Sequence, residues 1–341
     1  KSPRTNPVNV EIKLYELINE LNRKNISPHS PIMFNNFDCK YSDLFKKDNN
    51  NSISQSYKSK IDEGKIDDKI KIMVIEYCPY GTMEDITDTN ESLLHIKIAI
   101  FQVLLGISTL QYHIPGFRHN DIHNNNVIFG NYNFKGEELY FNQLKGGGLF
   151  VKSISNSISN SSNSIPSIKK NNYYIEYKFL GKSWYLPYLG FCAKIFDLDT
   201  SCSYKIKNIK ITEDLYLENG VTSQTNPVFD FHLFMNSSFY DYSGYTEIYD
   251  FYQRHIPYEY RGNTGDYLGF SRLTNFNRSL SHAENDVNLV PKNIKSAVEV
   301  LNTDKLFKEF LSMDDNGEVI MTYDTEVPDF SSLKGRKDML N

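Results

Sequence analysis

His119-Asn120-Asp121-Ile122-His123-Asn124-Asn125-Asn126-Val127 is the stretch on which the reading of this chain turns. It places a carboxylate (Asp121), an imidazole (His123) and a neutral amide oxygen (Asn126) in one short loop. A long apolar segment, 92–113, comes before it, and the apolar Val127, Ile128 and Phe129 follow as a short strand. A loop held between a helix and a strand presents its side chains rigidly. The pattern H-x-D-x-x-x-x-N suits phosphoryl transfer: the Asp receives the proton of an acceptor hydroxyl, and the Asn supplies an oxygen to a metal ion.

Outward from the loop, the order of elements is informative. Leu93, Leu94, Ile96, Ile98, Phe101, Val103, Leu104, Leu105, Ile107 and Leu110 cover most of a helical surface, so this helix is expected to be buried. Ser92 is a candidate N-cap, and Pro115-Gly116 ends the helix. Downstream, residues 190–196 read as an apolar strand that delivers Asp197-Leu198-Asp199 at its end. Upstream, 70–77 (I-K-I-M-V-I-E-Y) reads as a buried strand running into Cys78-Pro79-Tyr80-Gly81 and a short helix. Near the start, Pro7 opens an amphipathic helix with Val8, Val10, Ile12, Tyr15, Leu17, Ile18 and Leu21 at helical spacing. Glu11, Glu16 and Glu20 lie on it, the last two read as solvated charges.

The remaining segments are read more coarsely. Residues 32–37 form a short strand, and 45–68 is polar and read as a loop or disordered insertion. A second insertion, 131–174, carries Gly146-Gly147-Gly148 and a Ser/Asn/Ile repeat over 153–163. The triple glycine lacks a following Lys-Ser/Thr and helix pattern, so it reads as linker rather than phosphate loop. Residues 173–188 form a hairpin around Gly181-Lys182, and 226–235 a helix. Further helices fall near 245–255 and 294–311, with Pro257, Gly262 and Pro291 as breakers and a strand-poor tail from 312.

Composition bounds the possibilities. The chain has 341 residues and a net charge of -5, which argues against nucleic-acid binding through a basic surface. Four cysteines without close pairing or metal-ligand spacing point to a reducing, intracellular compartment. The apolar run 96–110 is interrupted by Lys97, Gln102 and Ser108 and reads as too short for a membrane span. Lys1 opens a polar segment rather than a signal peptide, and the chain reads as a piece of a longer protein. The abundance of Asn, Ile, Lys, Tyr and Ser suggests an AT-rich genome and makes isolated Asn or Tyr clusters poor markers of a site.

The loop resembles the catalytic loop of eukaryotic-type protein kinases. Six segments go further: N-P-V-N-V-E-I (6–12), S-P-H-S-P-I (27–32), H-N-D-I-H-N-N-N-V-I (119–128), Y-L-P-Y-L-G-F-C-A-K-I-F-D-L-D-T-S (185–201), N-P-V-F-D-F-H-L-F-M-N-S (226–237) and I-P-Y-E-Y-R-G (256–262). Together they resemble serine/threonine kinases of nucleocytoplasmic large DNA viruses, the mimivirus-like giant viruses especially. The resemblance implies an α+β, two-lobe kinase-like fold with a mainly helical C-lobe. Residues 1–77 would be the remainder of an N-lobe lacking its first strands and Gly-rich loop, 78–341 the C-lobe, and 46–69 and 131–172 disordered insertions.

The resemblance also implies roles. Asp121 orients and deprotonates the acceptor hydroxyl, and Asn126 and Asp197 hold Mg²⁺ on ATP. His123 stands where a phosphate-contacting Lys is usual. Asn120 stands where Arg is common, which implies no switch by activation-segment phosphorylation. Glu11, with Glu16 as runner-up, matches the Glu that pairs with an ATP-binding Lys; Lys1 is a poor fit for that Lys. Ile75 is the gatekeeper, and the backbone of Glu76 and Cys78 faces adenine. Asp230 matches the buried Asp that binds the catalytic-loop backbone, although an Asp at a helix start also serves as an ordinary dipole partner. Asp199 replaces a usual Gly and either caps a turn or helps hold a cation. The implied substrate is a protein, in host cytoplasm or virion, with no nucleic-acid or membrane partner. Two other readings stay open: a pseudokinase scaffold, and a small-molecule phosphotransferase of the aminoglycoside or choline kinase type, which the missing Ala-Pro-Glu favours.

Overall fold

The computed structural model describes residues 7–44, 52–87, 93–132, 172–212, 221, 223, 226–242, 244–256 and 295–325. The triple glycine, the 153–163 repeat, the helix breakers beyond 256, Ser92 and Lys1 lie outside these residues. Contacts divide the chain into two units, 1–31 with 77–341, and 32–76.

The smaller unit is built on an antiparallel pair, β1 (Met33–Lys40) and β2 (Lys69–Ile75), in register from Met33↔Ile75 to Lys40↔Lys69 with a bulge near Met33. Beyond Ile75, Glu76 donates its N–H to Ile32 O (2.7 Å) and accepts from Ile32 N–H through its carboxylate (3.1 Å). Between the strands lie α2 (Tyr41–Leu44) and α3 (Ser52–Asp62). α3 corrects the expected 45–68 loop. Its Ser, Lys and Gln content hides the helix, which is only weakly amphipathic; Tyr57 stacks on Tyr41 (ring centroids 5.7 Å).

The larger unit is mainly helical. α1 (Pro7–Arg23) groups here rather than with the strands, which differs from the expected 1–77 division. Val10, Leu14, Tyr15 and Ile18 form its buried face, and Glu16 and Glu20 are exposed as expected. α4 (Met83–Thr87) begins with a reciprocal cap: Thr82 N–H donates to Asp85 Oδ2 (2.7 Å), and Asp85 N–H donates to Thr82 Oγ1 (3.3 Å).

The central element is α5 (Leu93–His113), 21 residues long. By length and composition it is the one helix among the described residues able to cross a bilayer, so the expectation that this run is too short is corrected; the helix is mostly buried inside the fold. Its polar breaks at Lys97, Gln102 and Ser108 are used. Gln102 accepts from Ala193 N–H (2.7 Å) and donates to the Tyr132 hydroxyl. Ser108 and Thr109 donate to Leu104 O and Leu105 O, and Lys97 pairs with Glu247 (2.6 Å) and Glu309 (2.9 Å). Gly106 is required for close approach: a Cβ there would sit 2.9 Å from His29 Cβ and 3.0 Å from Ile195 Cδ1.

The strands of this unit include β3 (Val127–Gly130), β4 (Tyr173–Phe179), β5 (Lys182–Pro187) and β6 (Cys192–Ile195). β3 and β6 pair antiparallel, Val127↔Ile195 to Gly130↔Cys192. β4 and β5 form the expected hairpin, its turn made by Leu180 (φ 55°) and Gly181 (φ 70°). After them come α6 (Phe229–Tyr242), α7 (Thr246–His255), α8 (Ala297–Thr303), a 3₁₀ turn (Lys305–Leu311) and β7 (Glu318–Asp324). β7 corrects the expected strand-poor tail: it pairs parallel to β4, giving a sheet in the order β5-β4-β7. Phe101 of α5 joins this sheet to the 3₁₀ turn, touching Trp184, Phe307 and Phe310 at ring distances of 5.4, 5.5 and 5.7 Å.

Candidate active site

The 119–127 loop is held by one carboxylate. Asp230, fully buried in the first turn of α6, accepts the backbone N–H of His119 (Oδ2, 3.0 Å) and of Asn120 (Oδ1, 3.0 Å). Two charge-assisted bonds from one side chain fix two successive peptide units. Asn120 adopts φ 67°, a left-handed conformation that Asn tolerates, and its Nδ2 donates to Thr200 O (3.1 Å). Arg118, also buried, lies over the Phe229 ring (3.7 Å) and exchanges backbone hydrogen bonds with Cys202.

His119 is a structural tie. Its Nε2–H donates to Phe196 O (3.0 Å) and its Nδ1 accepts from Asp121 N–H (3.3 Å), an arrangement that requires the neutral ring. Burial lowers its pKa accordingly, only partly offset by the charge of Asp230. The hydroxyls of Thr200 and Ser201 both donate to His119 O (3.2 Å each).

The β3–β6 register brings the next pieces together. Phe196 N–H donates to Asn126 O (3.1 Å), so Asn126 and Asp197 lie at adjacent ends of paired strands. Asn126 Nδ2 donates to Asp121 O (2.7 Å), which orients the amide and identifies Oδ1 as its acceptor end. Asp121 is 6% exposed, and His123 Nε2 stands 3.8 Å from its Oδ1. Behind the loop, Ser238 Oγ donates to Asn124 Oδ1 (2.6 Å).

The segment after Asp197 is fastened from both sides. Asp197 has φ 63°, and Leu198 behind it is fully buried. Asp199 pairs with Lys210, and its carbonyl accepts from Asn208 Nδ2 (2.7 Å). Glu11 of α1 reaches the same place. Burial first, then the charges of Asp197 and Asp199, push its pKa up to about 7, against Lys210 and a hydrogen bond from Leu198 N–H.

Among the described residues no three His, Cys, Asp or Glu side chains form a metal-binding group. One carboxylate and one amide oxygen, Asp197 and Asn126, nonetheless fit Mg²⁺, which usually takes one or two carboxylates and completes its shell with water and substrate phosphates.

A protein of Acanthamoeba polyphaga mimivirus described as "Putative serine/threonine-protein kinase R400" is 21% identical to this chain over 329 residues. The chain resembles a giant-virus kinase. The match takes in 89% of this chain and 59% of the viral kinase, so the chain spans rather more than half of that protein's length. No protein-family model matches.

Set against this kinase resemblance, Asp121, His123, Asn126, Asp197 and Glu11 all fall within the larger unit. Ile75 and Glu76 belong to the smaller unit, where Ile75 pairs with Met33. Cys78 is in the larger unit, beside the strand pairing in which Tyr80 N–H donates to Phe129 O (3.1 Å) and Phe129 N–H to Gly81 O (2.9 Å). Sequence reasoning did not single out Arg118, Lys194 or Tyr15. Lys194, fully buried, stands opposite Ile128, its Cε 3.1 Å from where a Cβ on Gly130 would lie. A charged residue inside a four-residue apolar strand was the available signal for Lys194. Nothing local marks Tyr15, one tyrosine among 24.

Proposed function

We propose that the chain is part of an ATP-dependent serine/threonine protein kinase, with a C-lobe largely within 78–341. The observation that carries this reading is the two-pronged hold of Asp230 on His119 and Asn120, combined with the strand register that sets Asn126 beside Asp197. A loop fixed at two peptide units, with a carboxylate and an amide oxygen side by side, is built for positioning, which is most of what phosphoryl transfer asks of a protein.

Mg²⁺·ATP, when bound, supplies the transferable phosphoryl group and much of the charge neutralisation. Asn126 and Asp197, both in the larger unit, would hold the metal. Asp121 takes the proton of the acceptor hydroxyl and orients its oxygen. His123, 3.8 Å from Asp121, contacts the transferred group and, if neutral, brings less charge than a lysine would, so turnover is expected to be slow. Asn120 is spent on Thr200, in keeping with activity that needs no phosphorylated activation segment. Asp199 is paired with Lys210, which favours a protein kinase over a small-molecule phosphotransferase with a second metal carboxylate. The substrate is a protein, in host cytoplasm or virion.

Radiolabelled γ-phosphate transfer from Mg²⁺·ATP to a general protein acceptor tests the assignment. Asp121→Asn is expected to abolish transfer while leaving thermal stability near that of the parent. Undiminished turnover in the variant would remove Asp121 from the mechanism.

A further inference from the structure

Asn208 is buried, and both ends of its amide are used. Its Nδ2 donates to Asp199 O (2.7 Å) and to Ser201 O (2.9 Å), and its Oδ1 accepts Lys210 N–H (3.0 Å). One side chain therefore joins the two ends of the stretch 199–210, and the ion pair of Asp199 with Lys210 closes it again. Between these ends, Ser203 and Ile206 exchange backbone hydrogen bonds (3.1 and 3.2 Å), which makes a tight hairpin with Tyr204 and Lys205 at its tip. Tyr204 N–H donates to Pro115 O (3.1 Å), and a Cβ on Gly116 would meet the Tyr204 ring at 2.5 Å. The closed loop is also fastened to the 119–127 loop. Thr200 and Ser201 hydroxyls donate to His119 O, and Arg118 and Cys202 exchange backbone hydrogen bonds (3.0 Å each).

What this closed loop displays is positive charge. Residues 200–212 hold three lysines and no acidic residue, in a chain whose net charge is -5. Lys210 is spent on Asp199, whereas Lys205 and Lys207 are exposed, as is Ile209. Lysines carried on a loop that is already ordered lose less freedom on binding than lysines on a loose one. Two exposed lysines are too few to grip a nucleic-acid backbone, whose binders neutralise many phosphates at once. A short carboxylate-bearing peptide is the partner that such a strip complements.

We propose that the closed loop 199–210 is a docking surface for an acidic segment of the protein substrate, with Lys205 and Lys207 as its charged contacts and Asn208 as the residue that holds them in place. That the acidic segment carries the phosphoacceptor rests on the kinase reading above; the surface itself does not.

Two serine peptides of equal length test it, one with Asp and Glu flanking the serine and one with Asn and Gln there. The parent is expected to show the lower KM for the acidic peptide. Lys205→Glu combined with Lys207→Glu is expected to raise that KM about tenfold at low salt, with kcat moving far less. The neutral peptide's KM is expected to change little by comparison. Asn208→Ala keeps both lysines and is expected to lose part of the preference. A parent that treats the two peptides alike, or a doubly reversed variant that keeps the preference, overturns the proposal. An unchanged preference in Asn208→Ala overturns the holding role of Asn208. Fluorescence anisotropy of the labelled acidic peptide reads the surface without turnover. If the parent transfers phosphate to neither peptide, the kinase reading fails; binding that the double reversal abolishes then upholds the surface, and absence of binding overturns it. Displacement of the bound peptide by an equal concentration of a single-stranded oligonucleotide also overturns it, since the lysines would then serve nucleic acid.

Discussion

Asp230 shows how one residue can set the geometry of a site it never touches. Its carboxylate is fully buried and takes two backbone N–H groups of the loop that carries Asp121. Asp230→Ala leaves both donors buried and unsatisfied, at a cost of about 3 kcal/mol or more. Urea denaturation is expected to show that loss, with phosphoryl transfer falling further than stability; a variant as stable and active as the parent would refute it. Asp230→Asn keeps one acceptor and should fall between the two. The loop that carries Asp121 and Asn126 and the strand that delivers Asp197 were legible in the sequence because their spacing and neighbours are local. Arg118 was not, because its place over the Phe229 ring is set by packing between segments far apart in the chain.

Elements were legible where their pattern was strong. The apolar run of α5, the β4–β5 hairpin turn and the strand that delivers Asp197 all appear close to where hydrophobic periodicity put them. α3 was hidden by polar composition, and β7 by the distance to its partner, since parallel pairing with β4 leaves no local turn signal. The bend that joins α1 to the core depends on His29. Its Nδ1–H donates to Ala193 O (2.9 Å), its ring stacks on Tyr177, and burial lowers its pKa to about 3. The fold therefore requires neutral His29. Its stabilising contribution is complete above the ordinary value of 6.5 and is lost as pH falls from there toward the folded value. Asp304 adds to acid sensitivity at lower pH: burial pushes its pKa up, but His255 and Arg254 outweigh that and hold it below the usual range. Melting temperature is thus expected to drop between about pH 7 and pH 5, and to drop less in His29→Gln, whose amide can still donate to Ala193 O. Equal slopes in parent and variant would contradict this.

On the scale of the whole molecule, the larger unit packs the β5-β4-β7 sheet on α5 through Phe101, Trp184 and Tyr177. β7 closes this arrangement: Asp324 N–H donates to Asn25 O (3.1 Å) just after α1, and His113 at the end of α5 donates to Thr325 O (2.8 Å). The grouping of α1 with this unit, rather than with the strands at 32–76, was not legible in the sequence, because helical periodicity shows which face is buried and not against what. The proposed kinase function turns on the Asn126–Asp197 pair serving Mg²⁺·ATP. The most direct test is the thermal shift produced by Mg²⁺·ATP, measured on the protein beside its Asp197→Ala variant. Stabilisation of the parent protein is expected, and it is expected to disappear in Asp197→Ala and in the absence of Mg²⁺. A parent protein that does not respond, or an Asp197→Ala variant that responds as strongly as the parent, would contradict it.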